Sequence, residues 1–150
     1  MSDLPALGAF AVVTLLAAAT GAMFMPGAWY GGLAKPSWTP PDWLFGPAWT
    51  VLYVMIAIAG WLIWRAQGPG LALALWGVQL VLNAAWSWLM FGRHDILAAL
   101  VDVAALWLSI AALILAAWSV SQTAALLLLP YLAWVSFAAA LNLAVWRLNA

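Results

Sequence analysis

The chain has 150 residues, 69% of them hydrophobic and thirteen of them tryptophan, against four Lys or Arg, four Asp and no Glu, for a formal net charge of zero. A water-soluble domain carries about a quarter of its residues as charges, so the principal solvent of this chain is lipid. With the cations scattered singly there is no electrostatic footprint for nucleic acid, and the absence of cysteine excludes disulfides, thiolate chemistry and Cys-ligated metal sites.

The first segment opens with Met1-Ser2-Asp3-Leu4-Pro5, lacks the basic region of a secretory signal and runs into a long apolar stretch. It predicts a retained membrane helix over residues 5–25, started by Pro5 and stopped by Pro26-Gly27. Residues 27–44 form the one long connection. Pro26, Pro36, Pro40 and Pro41 exclude a continuous helix there, yet Trp29, Tyr30, Trp38, Trp43 and Phe45 are unlike a solvated linker, and the segment is expected to act as a lid. The second helix spans 46–65, with Pro47 in its first turn, and the turn Ala66-Gln67-Gly68-Pro69 forces an antiparallel return. The third spans 70–91 and ends at Gly92-Arg93-His94-Asp95; the fourth spans 96–118; the fifth spans 124–147. Each is long enough, at about 1.5 Å per residue, to cross about 30 Å of hydrocarbon. No segment has the polar face of a soluble bundle, and none has the alternation of a membrane barrel. The expected fold is a single all-α integral membrane domain over 1–150, with five transmembrane helices in one bundle. An odd number of spans puts the ends of the chain on opposite sides. Lys35, Arg93 and Arg147 then share side A, Arg65 faces side B, and the positive-inside bias makes side A cytoplasmic.

These directions place the least lipid-compatible groups in one half of the bundle. Trp49 and Tyr53 lie one and two turns into the second helix from side A, Asn83 about 12 Å from the side A end of the third, Asp102 in the second turn of the fourth, and Asn142 near the side A end of the fifth. Helical phase groups Trp76, Gln79, Asn83 and Trp86 on one stripe of the third helix, and Trp134, Ala138 and Asn142 on one stripe of the fifth. Turned inward, these stripes enclose a pocket with flat aromatic walls and a few amides, suited to a large planar ligand. Plainer roles compete. Trp29, Trp43, Trp64, Trp118 and Trp146 suit interfacial anchors, and Asn83 suits a tie between helices as well as a ligand contact. Asp102 in the apolar zone calls for a partner, with Arg147, Lys35 and a Tyr hydroxyl as the options, in a structural clasp or a gating role. His94 beside Asp95 reads as a solvated turn and a poor metal signal. No paired carboxylates, Ser-His-Asp set or phosphate loop points to a catalytic site. A second flank of the third helix, Ala74, Gly77, Val81 and Ala84, is small enough for close helix contact and predicts a homodimer.

Lys35-Pro36-Ser37-Trp38-Thr39-Pro40-Pro41, Phe45-Gly46-Pro47-Ala48-Trp49-Thr50-Val51-Leu52-Tyr53, Asn83-Ala84-Ala85-Trp86-Ser87 with Phe91, Pro130-Tyr131-Leu132-Ala133-Trp134, and Leu141-Asn142 with Trp146-Arg147 occur in that order. Together they resemble the tryptophan-rich sensory protein or translocator protein family, the peripheral benzodiazepine receptors of mitochondria, over essentially the whole chain. The resemblance implies a dimeric five-helix receptor or transporter that binds tetrapyrroles such as protoporphyrin IX and haem, as ligands rather than obligatory cofactors, and benzodiazepine-type drugs. It implies ligand contacts at Trp38, Trp49, Tyr53, Asn83, Trp86, Phe91, Trp134, Ala138 and Asn142. The alternatives are a light-dependent porphyrin-degrading activity and a non-transporting membrane adaptor. The family's sterol-recognition pattern asks for Tyr before the last arginine. Here Leu143 precedes Arg147 and Tyr131 is too distant, so sterol is a weakly supported partner beside lipid and tetrapyrrole. The length and the absence of a transit peptide favour a bacterial member in the cell envelope, in either the inner or the outer membrane.

Overall fold

The computed structural model describes residues 3–150. Its helices are α1 (Asp3–Met23), the short α2 (Ala28–Gly31), α3 (Phe45–Gln67), α4 (Leu71–Ser87), α5 (Ile96–Trp118) and α6 (Gln122–Asn149). A 3-10 turn, Asp42–Leu44, leads into α3, and a π turn, Trp88–Gly92, extends α4. Five of these rods, α1 and α3 to α6 with their extensions, are long and apolar enough to cross a membrane. The chain is an integral, multi-pass membrane protein.

Local chemistry sets the ends of the rods. Pro47 occupies the first turn of α3, where its missing N–H costs nothing. Gly68, at φ 73°, ends α3 with its N–H on the Trp64 carbonyl, a backbone setting that favours glycine. Asp95 and Ser121 cap α5 and α6 by accepting the N–H groups of Ala98 and Ala124.

In cross-section the spans follow the order α1, α3, α6, α5, α4 and back to α1, each packed on two neighbours. The tight turn at 68–70 makes α3 and α4 antiparallel but not neighbours in the ring. They touch only lightly, because α1 lies between them on one side and α5 and α6 on the other. The interior holds Ile56, Ile63, Leu106, Ile110, Leu113, Leu128 and Val135, each fully buried, and a small set of buried polar groups at Gln79, Asn83 and Asn142. By contrast α1 buries only Thr14 and Ala17 and presents most of its surface outward, as a rod solvated by lipid does.

Candidate functional site

A cavity in the side A half has a volume of about 320 Å³, within the range of small-molecule sites. One wall is α1, where Ala18, Gly21 and Ala22 fall on one face and carry almost no side chain. A Cβ on Gly21 would stand 3.7 Å from the Ser87 hydroxyl and 3.9 Å from that of Tyr53, so the facing helices leave room for a methyl group at this point of α1. The opposite wall is aromatic. Trp49 and Tyr53 of α3 stack with ring centres 5.6 Å apart and planes 29° apart, and Trp86 and Phe91 continue the surface onto α4 and its π turn. Ala22, Met25, Gly46 and Thr50 line the void while remaining exposed, so it opens between α1 and α3.

Behind this wall runs a one-way string of hydrogen bonds. The Tyr53 hydroxyl donates to Asn83 Oδ1 (2.8 Å), Asn83 Nδ2 donates to the Tyr131 hydroxyl (2.8 Å), Tyr131 donates to Gln79 Oε1 (2.8 Å), and Gln79 Nε2 donates to the Trp76 carbonyl (2.7 Å). The string crosses the ring from α3 to α4 to α6 and satisfies groups that lipid would not. Asn83 is therefore both tie and support: it joins three helices and fixes the Tyr53 ring at the cavity.

The stripes predicted to share one pocket lie on two sides of a partition. Phe45, buried at the start of α3, stands with Trp86 and Phe91 between the cavity and a second void of about 10 Å³, room for about one water. Ala138 and Asn142 line this smaller void. Asn142 accepts the Trp86 indole N–H (3.0 Å) and donates to the Ile96 carbonyl (3.1 Å), so it orients a wall residue from behind. Trp134 backs Trp49 edge-on, with centroids 6.3 Å apart, and lies 6.1 Å from Phe45. Trp38 is exposed on the connection 27–44 and meets Phe137 at 5.7 Å. Of the nine expected contacts, Trp49, Tyr53, Trp86 and Phe91 reach the cavity. Asn83, Trp134, Ala138 and Asn142 sit behind it, and Trp38 lies outside. The contribution of α1, and those of Asp42, Phe45 and Ser87, were not read from the sequence. The signal for α1 was its small face, Ala18-Gly21-Ala22, at helical spacing.

The connection 27–44 is held by several attachments. Asn149 grips Ala34 twice, accepting its N–H (3.0 Å) and donating to its carbonyl (2.8 Å). Trp29 stacks on His94 at 4.2 Å with planes 7° apart, so His94 is a docking face for the connection as well as an exposed turn residue. Tyr30, packed edge-on against Phe91, is buried, and burial first and the Asp42 carboxylate second push its hydroxyl up to about 12.

The partners offered for Asp102 do not meet it. Lys35 Nζ donates to the carbonyls of Tyr30 (2.8 Å), Gly31 (3.3 Å) and Leu33 (3.2 Å), closing the end of α2. Arg147 is exposed near the end of α6, and the Tyr53 and Tyr131 hydroxyls are committed to the string. Asp102 Oδ2 is buried with no hydrogen bond among the described residues. Ala74 and Val81 are exposed on the outer side of α4, Gly77 faces open space, and Ala84 is half-buried.

Comparison with known proteins agrees with the order of motifs. The profile of the TspO/MBR family matches residues 9–147. The chain is 43% identical to Protein CrtK of Rhodobacter capsulatus over 147 residues, covering 92% of this chain and 89% of that one. It is 45% identical to the tryptophan-rich protein TspO of Chlorobaculum tepidum over 129 residues (83% and 82% covered). It is 40% identical to the human translocator protein over 153 residues (97% and 90% covered).

Proposed function

The chain belongs to the TspO/MBR family, and on that premise we propose that it is a membrane receptor or transporter for tetrapyrroles and similar planar hydrophobic ligands. The observation that carries the reading is the cavity of about 320 Å³ with aromatic faces on one side and a bare helix on the other. A flat guest lies against Trp49 and Trp86, excludes lipid from the gap along α1, and meets the Tyr53 oxygen and the Ser87 hydroxyl at its edge. The Tyr53 hydrogen is spent on Asn83, so its oxygen is left to accept. His94 is not among the lining residues, and recognition of a haem in the cavity rests on the ring faces rather than on an imidazole. The outer flank of α4, with Ala74, Gly77, Val81 and Ala84, is the proposed homodimer contact, and a bacterial envelope is the proposed location.

The test is a titration of the purified protein with protoporphyrin IX, followed by porphyrin absorbance so that tryptophan changes do not remove the readout. Saturable binding is expected, weakened about tenfold in Trp49→Leu, the loss of one well-packed aromatic contact. No saturation, or equal affinity in the variant, overturns the reading.

A light-driven breakdown of bound porphyrin is supported by a separate observation. The ring centres of Trp49 on the wall and Trp134 behind it are 6.3 Å apart, a pair of oxidisable indoles beside the guest. New pigment products on illumination that vanish in Trp134→Phe, with binding retained, support this activity. Bleaching equal to that with free tryptophan removes it.

A further inference from the structure

The wall of the cavity carries one formal charge, and it is negative. Asp42, exposed at the start of the 3-10 turn that leads into α3, lines the void at its rim, and no Lys, Arg or His lines it. The cations are engaged elsewhere. Lys35 closes α2 and lies 4.8 Å over the Tyr30 ring, Arg65 pairs with Asp3 at the opposite membrane face, and Arg93 lies 5.4 Å over the Trp88 ring. Arg147 is exposed near the end of α6. No ion pair to Asp42 occurs among the described residues. The other polar groups on the wall are neutral: the Tyr53 and Ser87 hydroxyls and Thr50, whose own hydrogen is spent on the Gly46 carbonyl.

From this distribution we infer that the cavity sorts flat ligands by charge: it favours a guest that presents a protonated amine or other cationic edge to Asp42, accepts neutral guests, and disfavours carboxylates at that edge. The inference rests on the flat-ligand reading above and names the chemistry that the same site prefers. Asp42 also stands at the amino-terminal end of α3, where a negative charge stabilises a helix whatever the cavity holds. A change in stability on its replacement is thus no evidence, and the informative quantity is selectivity.

The experiment compares three porphyrins of one ring: protoporphyrin IX, its dimethyl ester, and its bis-amide with dimethylaminoethyl arms, titrated against the wild-type protein and Asp42→Asn. Differences in partitioning into detergent are common to both proteins and cancel in the ratio. One charge pair at an exposed site such as this changes affinity by about fivefold. In Asp42→Asn the dicarboxylate is expected to gain about fivefold, the amine to lose about fivefold, and the ester to stay within about twofold. In the wild type the preference for amine over acid should also shrink as salt rises, a readout that needs no variant to fold. An order and spread that are the same in both proteins and at all salt concentrations overturn the inference while leaving flat-ligand binding intact. Failure of all three porphyrins to saturate the wild type removes the flat-ligand reading itself, and the charge preference with it.

Discussion

The two ends of the space between α1 and α3 are built to opposite designs. Towards side B the helices are sealed. Trp76 lies across Gly60 so closely that a Cβ there would fall 2.6 Å from its ring, Phe10 meets the same indole at 5.0 Å, and Trp76 donates to the Ile56 carbonyl. The Trp61 indole donates to the Asp3 carbonyl, and Arg65 pairs with the Asp3 carboxylate at 3.0 Å. Towards side A the same helices part around a void, because α1 offers Ala18, Gly21 and Ala22 where it had offered Phe10, and α3 offers Trp49 and Tyr53 stacked on each other rather than on α1. Side-chain size on one helix thus decides where two spans touch and where they leave room. A sealed end also gives the open end a fixed spacing.

The sealed end should give the largest response. Gly60→Leu drives a side chain into Trp76 and Phe10, and overpacking of this kind costs about 3 kcal/mol; thermal unfolding in detergent, followed by near-ultraviolet circular dichroism, should show the midpoint fall. A midpoint unchanged from wild type would mean that the seal has slack. Gly21→Phe does the reverse at the open end, since a Cβ there meets only ordinary contacts and the ring fills the void. Porphyrin affinity should drop about thirtyfold, or about 2 kcal/mol, with the midpoint retained or raised. Asn83→Ala sits between the two designs. It removes two interhelical hydrogen bonds, worth about 0.6 kcal/mol each in a membrane, so the midpoint should shift by the equivalent of about 1 kcal/mol. Arg65→Ala should be the mildest. With side-chain exposures of 46% and 39% the Arg65–Asp3 pair is screened, and a loss of at most about 0.5 kcal/mol is expected. A larger loss would make the pair, rather than Gly60 and Trp76, the closure of side B.

Five spans were legible because apolar length is a one-dimensional property that composition displays directly. The stripes on the third and fifth predicted helices were also legible, since helical phase depends on spacing alone. Which stripe faces which is a property of the cross-section, and no spacing within a helix encodes it. Spacing alone therefore puts Trp49 and Asn142 in one pocket, whereas Phe45 enters between them from the start of α3. The α1 wall is hidden for a related reason: a pocket can be made by what a helix lacks, and Ala18, Gly21 and Ala22 look like ordinary membrane residues until another helix stands opposite. Lys35 is a plausible partner for buried charge by residue type, but its reach to three nearby carbonyls satisfies it locally, a competition that distance in sequence hides.

The Trp76 carbonyl can only accept a hydrogen bond, and this fixes the amide of Gln79, then Tyr131, then Asn83, and at last the face that Tyr53 shows. The preference of the binding wall is consequently written two helical turns deeper, at a backbone atom no guest reaches. Replacing Gln79 by Leu would release that orientation and let the row of dipoles turn around, so that a phenol that took hydrogen from a guest would offer one. On the proposed function, ligand choice is open to remote change, by substitutions that leave every contact residue in place.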